Sequence, residues 1–169
     1  KIIQNEVAVI RMLDHPHIVK IYCTYQEKQQ FAIVLEPLAS GDLEAFLYQY
    51  SHEASPLLPD QLEMLIRWFK CLARTLEFIH GHDIRHKDIK TRNILVKDDQ
   101  VFFADFGSSR AFLEESMSTT EGPAYGHTRL YSAPEVIAEE KRNRSADVFS
   151  LGCVFTEMLT VIGGVPLQL

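Results

Sequence analysis

The sequence is poor in cysteine and carries no surplus of positive charge. Its three cysteines, Cys23, Cys71 and Cys153, are odd in number and widely spaced, which argues against a disulfide framework and against a zinc site. Reduced thiols are typical of an intracellular protein, so we expect a cytoplasmic or nuclear location. With 17 basic and 23 acidic residues the formal net charge is -6, which argues against a nucleic-acid-binding function.

The sequence also has no long uninterrupted apolar run. Its most apolar window, residues 150–169, contains Glu157 and is broken by Gly163, Gly164 and Pro166. A membrane-crossing helix needs about 20 consecutive apolar residues, so we predict a buried helix with a short tail and no membrane segment. The first residues carry no signal-peptide pattern.

The residues that are present form an ordinary globular composition, 46% hydrophobic and 24% charged, in a length that suits one domain with a real core. Apolar residues at helical or alternating spacing, together with turn residues, divide the chain into elements. The predicted helices cover residues 1–13, 42–50 and 60–81 and a segment that begins at 145. The predicted strands cover residues 18–25, 31–35, 94–96 and 101–104.

Two of these helices carry clear start signals. Asp60, with Glu63 three residues later, is the predicted N-cap of the longest helix, and Gly81 is its predicted end. Ser145 is the predicted N-cap of the last helix. The apolar stripe predicted for the longest helix consists of Leu62, Leu65, Ile66, Phe69, Leu72, Ala73, Leu76 and Ile79. The apolar face predicted for the last helix consists of Val148, Leu151, Val154, Phe155, Met158 and Leu159.

Residues 84–96, with the sequence IRHKDIKTRNILV, mix charged and apolar side chains in an unusual way. A surface loop has no need of Ile89 and Ile94. A buried strand has no use for Asp88, Lys90 and Asn93, because such side chains are costly to bury unless they are paired. The mixture predicts a loop that its isoleucines anchor to the core, so that its polar side chains are held in fixed directions.

The same stretch contains the pattern H-K-D-x-x-x-x-N, formed by residues 86–88 and Asn93. The patterns D-F-G at 105–107 and A-P-E at 133–135 follow it in order. Each pattern alone is a weak signal, since a lone Asp or a lone Asp-Phe-Gly is most often part of a turn. Together, in this order and with these gaps, they resemble the signature motifs of protein kinases over nearly the whole chain.

The resemblance implies transfer of the γ-phosphate of ATP to a protein hydroxyl, a reaction that needs positioning and charge neutralisation more than covalent chemistry. Asp88 would orient the hydroxyl and accept its proton, and Lys90 would reach the γ-phosphate as a point charge. Asn93 and Asp105 would supply oxygen ligands to Mg²⁺. The alternative for Lys90 is a solvated surface charge.

The resemblance also implies an adenine and ribose site. Leu35 would be the gatekeeper residue of this site. Glu36 and Leu38 would offer backbone groups to the adenine edge. Asp42 would contact the ribose, and Leu95 would form the apolar floor under the adenine.

Other residues take supporting roles by the same resemblance. Glu6 would match the glutamate of the kinase helix αC, and its alternative is a solvent-facing Glu on an amphipathic helix. His86 would pack against Phe106 of D-F-G, whose Gly107 allows a tight turn. Asp147 would brace the polar loop from below.

The resemblance further implies a serine or threonine acceptor, because a lysine two residues after the catalytic Asp is typical of Ser/Thr kinases. Thr128 would bridge Asp88 and Lys90, and its alternative is a plain loop hydroxyl or a phosphorylation site. The segment 108–128 would be a mobile activation segment. Several hydroxyls of this segment could accept phosphate. The segment contains those of Ser108, Ser109, Ser116, Ser118, Thr119, Thr120 and Thr128.

The chain also departs from the kinase pattern. Lys87 stands where an arginine is usual, and a lysine offers a phosphate only a point charge, so we expect modest dependence on phosphorylation. The sequence contains no G-x-G-x-x-G pattern, no preceding strand lysine to pair with Glu6, and no later helix with an arginine to pair with Glu135. We therefore expect Lys1 and Leu169 to be the ends of a fragment.

The expected fold is α+β and kinase-like but partial. Residues 1–38 would be the remnant of an N-terminal lobe with its hinge, and residues 39–169 an incomplete, mainly helical C-terminal lobe. The expected function is that of a protein serine/threonine kinase, with ATP, Mg²⁺ and a protein substrate as partners, although the fragment alone should bind ATP poorly. The alternatives are a non-catalytic kinase-like binding module and an unrelated α/β scaffold with accidental motifs.

Overall fold

The computed structural model of the chain describes residues 2–28, 30–52, 57–111, 129–138 and 143–167. Its helices are α1 (Ile2–Met12), α2 (Leu43–His52), α3 (Pro59–Gly81), α4 (Pro134–Ile137) and α5 (Arg144–Ile162). Its strands are β1 (Lys20–Glu27), β2 (Gln30–Glu36), β3 (Gly41–Asp42), β4 (Ile84–Arg85), β5 (Ile94–Lys97), β6 (Gln100–Phe103) and β7 (Arg110–Ala111). Short 3-10 turns lie at Thr91–Asn93, Phe106–Ser108 and Arg129–Tyr131. The α+β class predicted from the sequence is confirmed.

The first part of the chain is helix α1 followed by the antiparallel hairpin β1–β2. The hairpin runs from the Lys20–Glu36 pair to the Glu27–Gln30 pair, with a bulge between Ile21 and Cys23. The predicted hairpin is therefore confirmed, but its first strand begins two residues later than expected. The reason is that Ile18 forms an isolated parallel bridge with Phe103 of β6 instead.

Two small antiparallel sheets carry the middle of the chain. One has the strand order β3-β5-β6, and the other pairs β4 with β7. The hairpin β5–β6 was predicted from the sequence, whereas β3, β4 and β7 were not. These three strands have two residues each, which is too short for an alternating pattern to be visible.

Helix α3 presents a narrower buried face than the sequence predicts. Its fully buried side chains are Leu65, Trp68, Leu72, Thr75, Leu76 and Ile79. Their spacing of three and four residues defines one stripe along the helix. Ile66 is 57% exposed and Ala73 is also exposed, so both were wrongly assigned to that stripe. Trp68 was missed, although it is buried and its Nε1 donates to the carbonyl of Asp99 at 2.8 Å.

Both predicted N-caps were wrong by two residues. Helix α3 begins at Pro59, a residue well suited to a first helical position, and the side chain of Gln61 accepts the backbone N–H of Leu58 at 2.8 Å. Helix α5 begins at Arg144, and the side chain of Asn143 accepts the backbone N–H of Ser145 at 3.1 Å. Asp60 and Ser145 therefore lie inside the first turns. The predicted end of α3 at Gly81 is confirmed.

Helix α5 is long and apolar enough to cross a membrane by length and composition, a test that core helices of folded domains also pass. Two of its acidic residues argue for the core position. Asp147 is buried and hydrogen-bonded to the polar loop, and Glu157 is bonded to Tyr131. Val148 and Leu159 are each 57% exposed, so the sequence wrongly placed them on the buried face.

The first part of the chain is joined to the hairpin β5–β6 by a short row of backbone hydrogen bonds. Val19 donates to the carbonyl of Phe103 at 3.1 Å, and Phe103 donates to the carbonyl of His17 at 2.9 Å. The ring of His17 adds a contact of 2.8 Å from its Nδ1 to the carbonyl of Val101. One hydrophobic cluster then continues from Val9 of α1 through the sheet to α3 and α5.

The buried face of α3 predicts how substitutions on its two sides should affect the stability of the chain. Leu72→Ala opens a cavity in the core and should lower the free energy of unfolding by about 2–5 kcal/mol. Ile66→Ala, on the exposed side of the same helix, should change it by no more than about 0.5 kcal/mol. Urea unfolding of the two variants measures both values. Equal losses would show that the buried face of α3 has been wrongly assigned.

Candidate active site

The polar loop between β4 and β5 is anchored as its sequence predicts. Ile89 and Ile94 are both buried, at either side of the 3-10 turn Thr91–Asn93. The backbone of Asn93 donates to the carbonyl of Lys90 at 3.0 Å and accepts from Ala104 at 2.9 Å. The second of these bonds ties the loop directly to the residue that precedes the D-F-G motif.

Two polar side chains of this loop converge on the carboxylate of a third residue, Asp88. Lys90 Nζ donates to Asp88 Oδ2 at 2.9 Å, and Asn93 Nδ2 donates to the same oxygen at 2.9 Å. The Asn93 amide also bonds to the backbone carbonyl of Asp88 at 2.8 Å. The side chains of Asp88 and Lys90 are only 15% and 17% exposed, so water screens their attraction less than on an open surface. The cluster holds the Asp88 carboxylate in one orientation.

The carboxylate of Asp147 fixes the start of the same loop from below. It accepts the backbone N–H groups of His86 and Lys87, each at 2.9 Å, and its Oδ2 lies 2.9 Å from Nε2 of His80. Burial works against the charged form, but the hydrogen bonds, led by that of His80, outweigh it and hold the pKa of Asp147 below its ordinary value. Lys87 has a left-handed φ of 69°, a strained conformation for a side chain of its size. Its bond to Asp147 stabilises that conformation.

The ring of His86 is buried between the loop and the D-F-G motif. Burial is the main reason that its pKa is lowered, so the ring is neutral near pH 7. A neutral ring with its hydrogen on Nε2 satisfies both contacts, since Nε2 donates to the carbonyl of Ala104 at 3.1 Å and Nδ1 accepts the N–H of Asp88 at 3.4 Å. The His86 and Phe106 ring centroids lie 4.7 Å apart. The position of His86 thus links the two motifs through packing and hydrogen bonds.

The D-F-G motif forms a tight turn after strand β6. Asp105 has a left-handed φ of 60° and its carboxylate accepts the N–H of Gly107 at 3.4 Å. Phe106 is fully buried, whereas Asp105 is exposed. The turn therefore anchors one side chain in the core and directs its neighbour outwards.

Glu6 of α1 is close enough to Asp105 for the two charges to interact. Burial raises the pKa of Glu6, and the negative charge of Asp105 raises it further. A nearby cation would relieve this repulsion, and oxygen donors are the ligands that Mg²⁺ prefers. No group of three or more His, Cys, Asp or Glu side chains able to hold a metal is found in the part of the chain that the structure describes. A Mg²⁺ held by Asn93 and Asp105 would therefore take its remaining ligands from water or phosphate, as this ion usually does.

The residues predicted to contact the nucleotide lie on both sides of the short segment between β2 and β3. Leu35 and Glu36 end strand β2, and Leu38 is 88% exposed. Asp42 stands opposite Leu95 in the β3–β5 pair. The carboxylate of Asp42 accepts the N–H of Ala45 at 2.8 Å and so caps helix α2, a role that its sequence position did not reveal.

Three further predictions concern the segment after D-F-G. Thr128 lies outside the described residues, as do the hydroxyls of residues 116–120. Ser109 is not among the accessible hydroxyls of this segment, because its side chain is fully buried and its Oγ donates to the carbonyl of His86 at 3.1 Å. Glu135 of the A-P-E motif accepts a hydrogen bond of 3.0 Å from Ser145 Oγ.

One network under the loop was missed by the sequence analysis. Thr91 Oγ1 lies 2.8 Å from the hydroxyl of Tyr131, and both groups are hydrogen-bonded to the carboxylate of Glu157. Burial raises the pKa of Glu157 and is also the main reason that the pKa of Tyr131 is raised. The network connects the polar loop to α5 and to the segment before A-P-E. An acidic residue inside an otherwise apolar helix was the available signal, since such a residue needs partners when buried.

Comparison with known proteins identifies the family in which this arrangement of residues occurs. The family described as the protein kinase domain matches residues 1–167. The chain belongs to the protein kinase family. The α+β structure is accordingly part of a kinase fold, and the alternative of an unrelated scaffold with accidental motifs is excluded.

Curated relatives of this kinase chain are serine/threonine kinases and related enzymes. It is 31% identical over 153 residues to serine/threonine-protein kinase Nek11 of Macaca fascicularis, which covers 90% of the chain and 23% of the relative. It is 32% identical over 160 residues to mitogen-activated protein kinase kinase kinase 3 of Arabidopsis thaliana, which covers 94% of the chain and 23% of the relative. The chain thus spans about a quarter of the length of these relatives.

The bonds of Asp147 predict a pH dependence of stability. Its pKa is lower in the folded chain than the value of about 3.9 in unfolded chains, so its stabilisation is complete above that value and is lost as the pH falls through the folded-state pKa. Asp147→Asn leaves a backbone N–H of the loop facing an amide N–H. The variant should lose roughly 1–3 kcal/mol of unfolding free energy at pH 7.

The difference between wild type and Asp147→Asn should shrink below about pH 4, as the wild-type carboxylate takes up its proton. Denaturant unfolding at a series of pH values measures it. Asp14→Asn, which removes an exposed carboxylate bonded to Lys20, is the matched control and should give no comparable loss at pH 7. A constant difference between pH 7 and pH 3 would contradict the assignment.

Proposed function

We propose that this chain is part of a protein serine/threonine kinase that transfers the γ-phosphate of ATP to serine or threonine hydroxyls of protein substrates. The observation that carries the proposal is the convergence of Lys90 and Asn93 on the Asp88 carboxylate, within 2.9 Å. A non-catalytic kinase-like module has no need of this arrangement together with Asp105. The free cysteines in the described residues fit an intracellular protein.

In this proposal the fixed carboxylate of Asp88 orients the acceptor hydroxyl and takes its proton as the new O–P bond forms and the bond to the leaving oxygen breaks. Lys90 lies beside that carboxylate, where its ammonium group also stabilises charge on the transferred phosphoryl group. A lysine at this position and the named Ser/Thr kinases among the relatives favour a serine or threonine acceptor over tyrosine.

Asn93 and Asp105 would hold Mg²⁺ in this kinase. The ion would neutralise phosphate charge and align the γ-phosphate with the hydroxyl. Asn93 bonds to Asp88 through its amide nitrogen, which leaves its amide oxygen as the atom suited to a cation. Asp105 is exposed and is directed outwards by the left-handed turn. The donor set thus fits a hard ion.

The role of Asp88 can be tested in the full-length protein that contains this chain. Asp88→Asn keeps the shape but removes the proton acceptor, so kcat should fall at least about a hundredfold, which corresponds to roughly 3 kcal/mol of transition-state stabilisation. The affinity for Mg·ATP should barely change. Asp98→Asn, the same substitution in the exposed β5–β6 turn, is the control and should leave kcat unchanged. An effect of Asp88→Asn confined to ATP affinity would contradict the assigned role.

The 169-residue chain by itself should bind ATP poorly and transfer no measurable phosphate. It contains no glycine-rich phosphate loop, and Glu6 has no strand lysine to orient within this sequence. Apolar side chains such as Val148, Phe149 and Leu159 are exposed, which also favours aggregation. Calorimetry with Mg·ATP and a phosphate-transfer assay on a Ser/Thr peptide test this prediction. Micromolar binding with turnover that depends on Asp88 would overturn it.

A further inference from the structure

Helix α1 is held against the segment after D-F-G by one long-range hydrogen bond. Asn5 Nδ2 donates to the backbone carbonyl of Ser109 at 2.7 Å. The two residues are 104 positions apart in the chain, and the contact is partly buried. Asn5 directly precedes Glu6, so the bond holds the same turn of α1 that carries Glu6, whose charge interacts with that of Asp105.

The contact at Ser109 continues to the polar loop. Ser109 Oγ donates to the carbonyl of His86 at 3.1 Å, and the side chain of Ser109 is fully buried. The backbone N–H of Ser109 donates to the carbonyl of Phe106 at 3.0 Å. His86 in turn contacts the N–H of Asp88 through its ring. A continuous chain of hydrogen bonds therefore leads from α1 through Ser109 to the loop that carries Asp88.

The charges around α1 work against the contact that this bond makes. Glu6 and Asp105 are both acidic and close enough for their charges to interact, so their repulsion favours a separation of α1 from the D-F-G turn. The amide of Asn5 opposes that separation because it satisfies a carbonyl on the D-F-G side. Without it, that partly buried carbonyl would lose its hydrogen-bond donor, which costs more than the bond itself contributes.

We propose that Asn5 and Ser109 are positioning residues that set the place of Glu6 on α1 and the orientation of the loop carrying Asp88 as one unit. The proposal rests on the kinase function proposed above. Neither side chain would touch the substrate or the nucleotide. Asn5 acts by fixing the carbonyl of Ser109, and Ser109 acts by fixing the carbonyl of His86.

The decisive variant is Asn5→Asp in the full-length protein. It preserves the shape of the side chain but replaces the donor with a carboxylate that faces the carbonyl of Ser109. We expect kcat to fall by about tenfold, the factor of one lost hydrogen bond, with the KM for ATP nearly unchanged. Gln26→Glu is the matched control, because the amide of Gln26 also donates to a backbone carbonyl, at an exposed turn. The control should retain its kcat.

A double-mutant cycle separates a relay from two independent structural effects. Ser109→Ala removes only the bond to His86 and should also lower kcat. Asn5→Leu removes only the bond to Ser109. Since the two bonds act in series, the combination of Asn5→Leu with Ser109→Ala should cost little more than the larger loss of these two single variants. Melting temperatures of all variants are measured in parallel. Additive losses of kcat, or losses that follow the melting temperature alone, would overturn the proposal.

An activity-independent measurement separates this proposal from the kinase function. Amide hydrogen exchange of the backbone at His86 and Ser109 should be faster in Asn5→Asp than in wild type, while the exchange of α3 is unchanged. If the wild-type protein transfers no phosphate, the proposed function fails, but this exchange comparison still decides on the relay. Unchanged exchange at both amides in Asn5→Asp would overturn it.

Discussion

The structure depends on one buried carboxylate, that of Asp147. A charge in the core is stable only when donors surround it, and here His80 and the backbone N–H groups of residues 86 and 87 supply them. The carboxylate in turn stabilises the strained left-handed backbone at Lys87. That backbone conformation turns the chain so that Asp88 contacts Lys90 and Asn93. Helix α5 thus supports the candidate active site through Asp147 and, about three turns later, through Glu157, which is hydrogen-bonded to Thr91 of the loop.

The polar groups of the site are arranged in layers. Asp88, Lys90 and Asn93 form the outer cluster, in which Asp88 and Lys90 are partly exposed and Asn93 is buried beside them. Beneath them, His86, Thr91 and Tyr131 are buried, and the partly buried Glu157 is hydrogen-bonded to the last two. Because the buried groups have lost contact with water, their geometry is specified by their protein partners. The inner contacts therefore fix the backbone of the loop, and this limits the positions that the outer side chains can take.

The sequence predicted the long helices, both hairpins and the positions of the motif residues, because periodic apolar spacing and fixed-gap motifs are local signals. It failed where the outcome depends on contacts between distant parts. The two-residue strands β3, β4 and β7 exist only through their partners. The cap of α5 is Asn143 and not Ser145. Asn and Ser are both favourable N-cap residues, so the local sequence did not show which of them precedes the first helical residue. The bond of Asn5 to Ser109 and the burial of Ser109 could not be predicted either, because no pattern within either segment points to the other.

The backbone hydrogen bonds between residues 17–19 and strand β6 also restrict how helix α1 can move. They fasten the chain just after the C-terminal end of α1, so any tilt of this helix turns about that end. Eleven helical residues extend about 16 Å, so a tilt of roughly 10° would move the far end by about 3 Å while hardly displacing Leu13. Helix α1 can therefore pivot about the residues that are bonded to β6. Asn5 and Glu6 lie about 10 Å from this pivot, so the same tilt would move them by roughly 2 Å, enough to break the bond of Asn5 to Ser109.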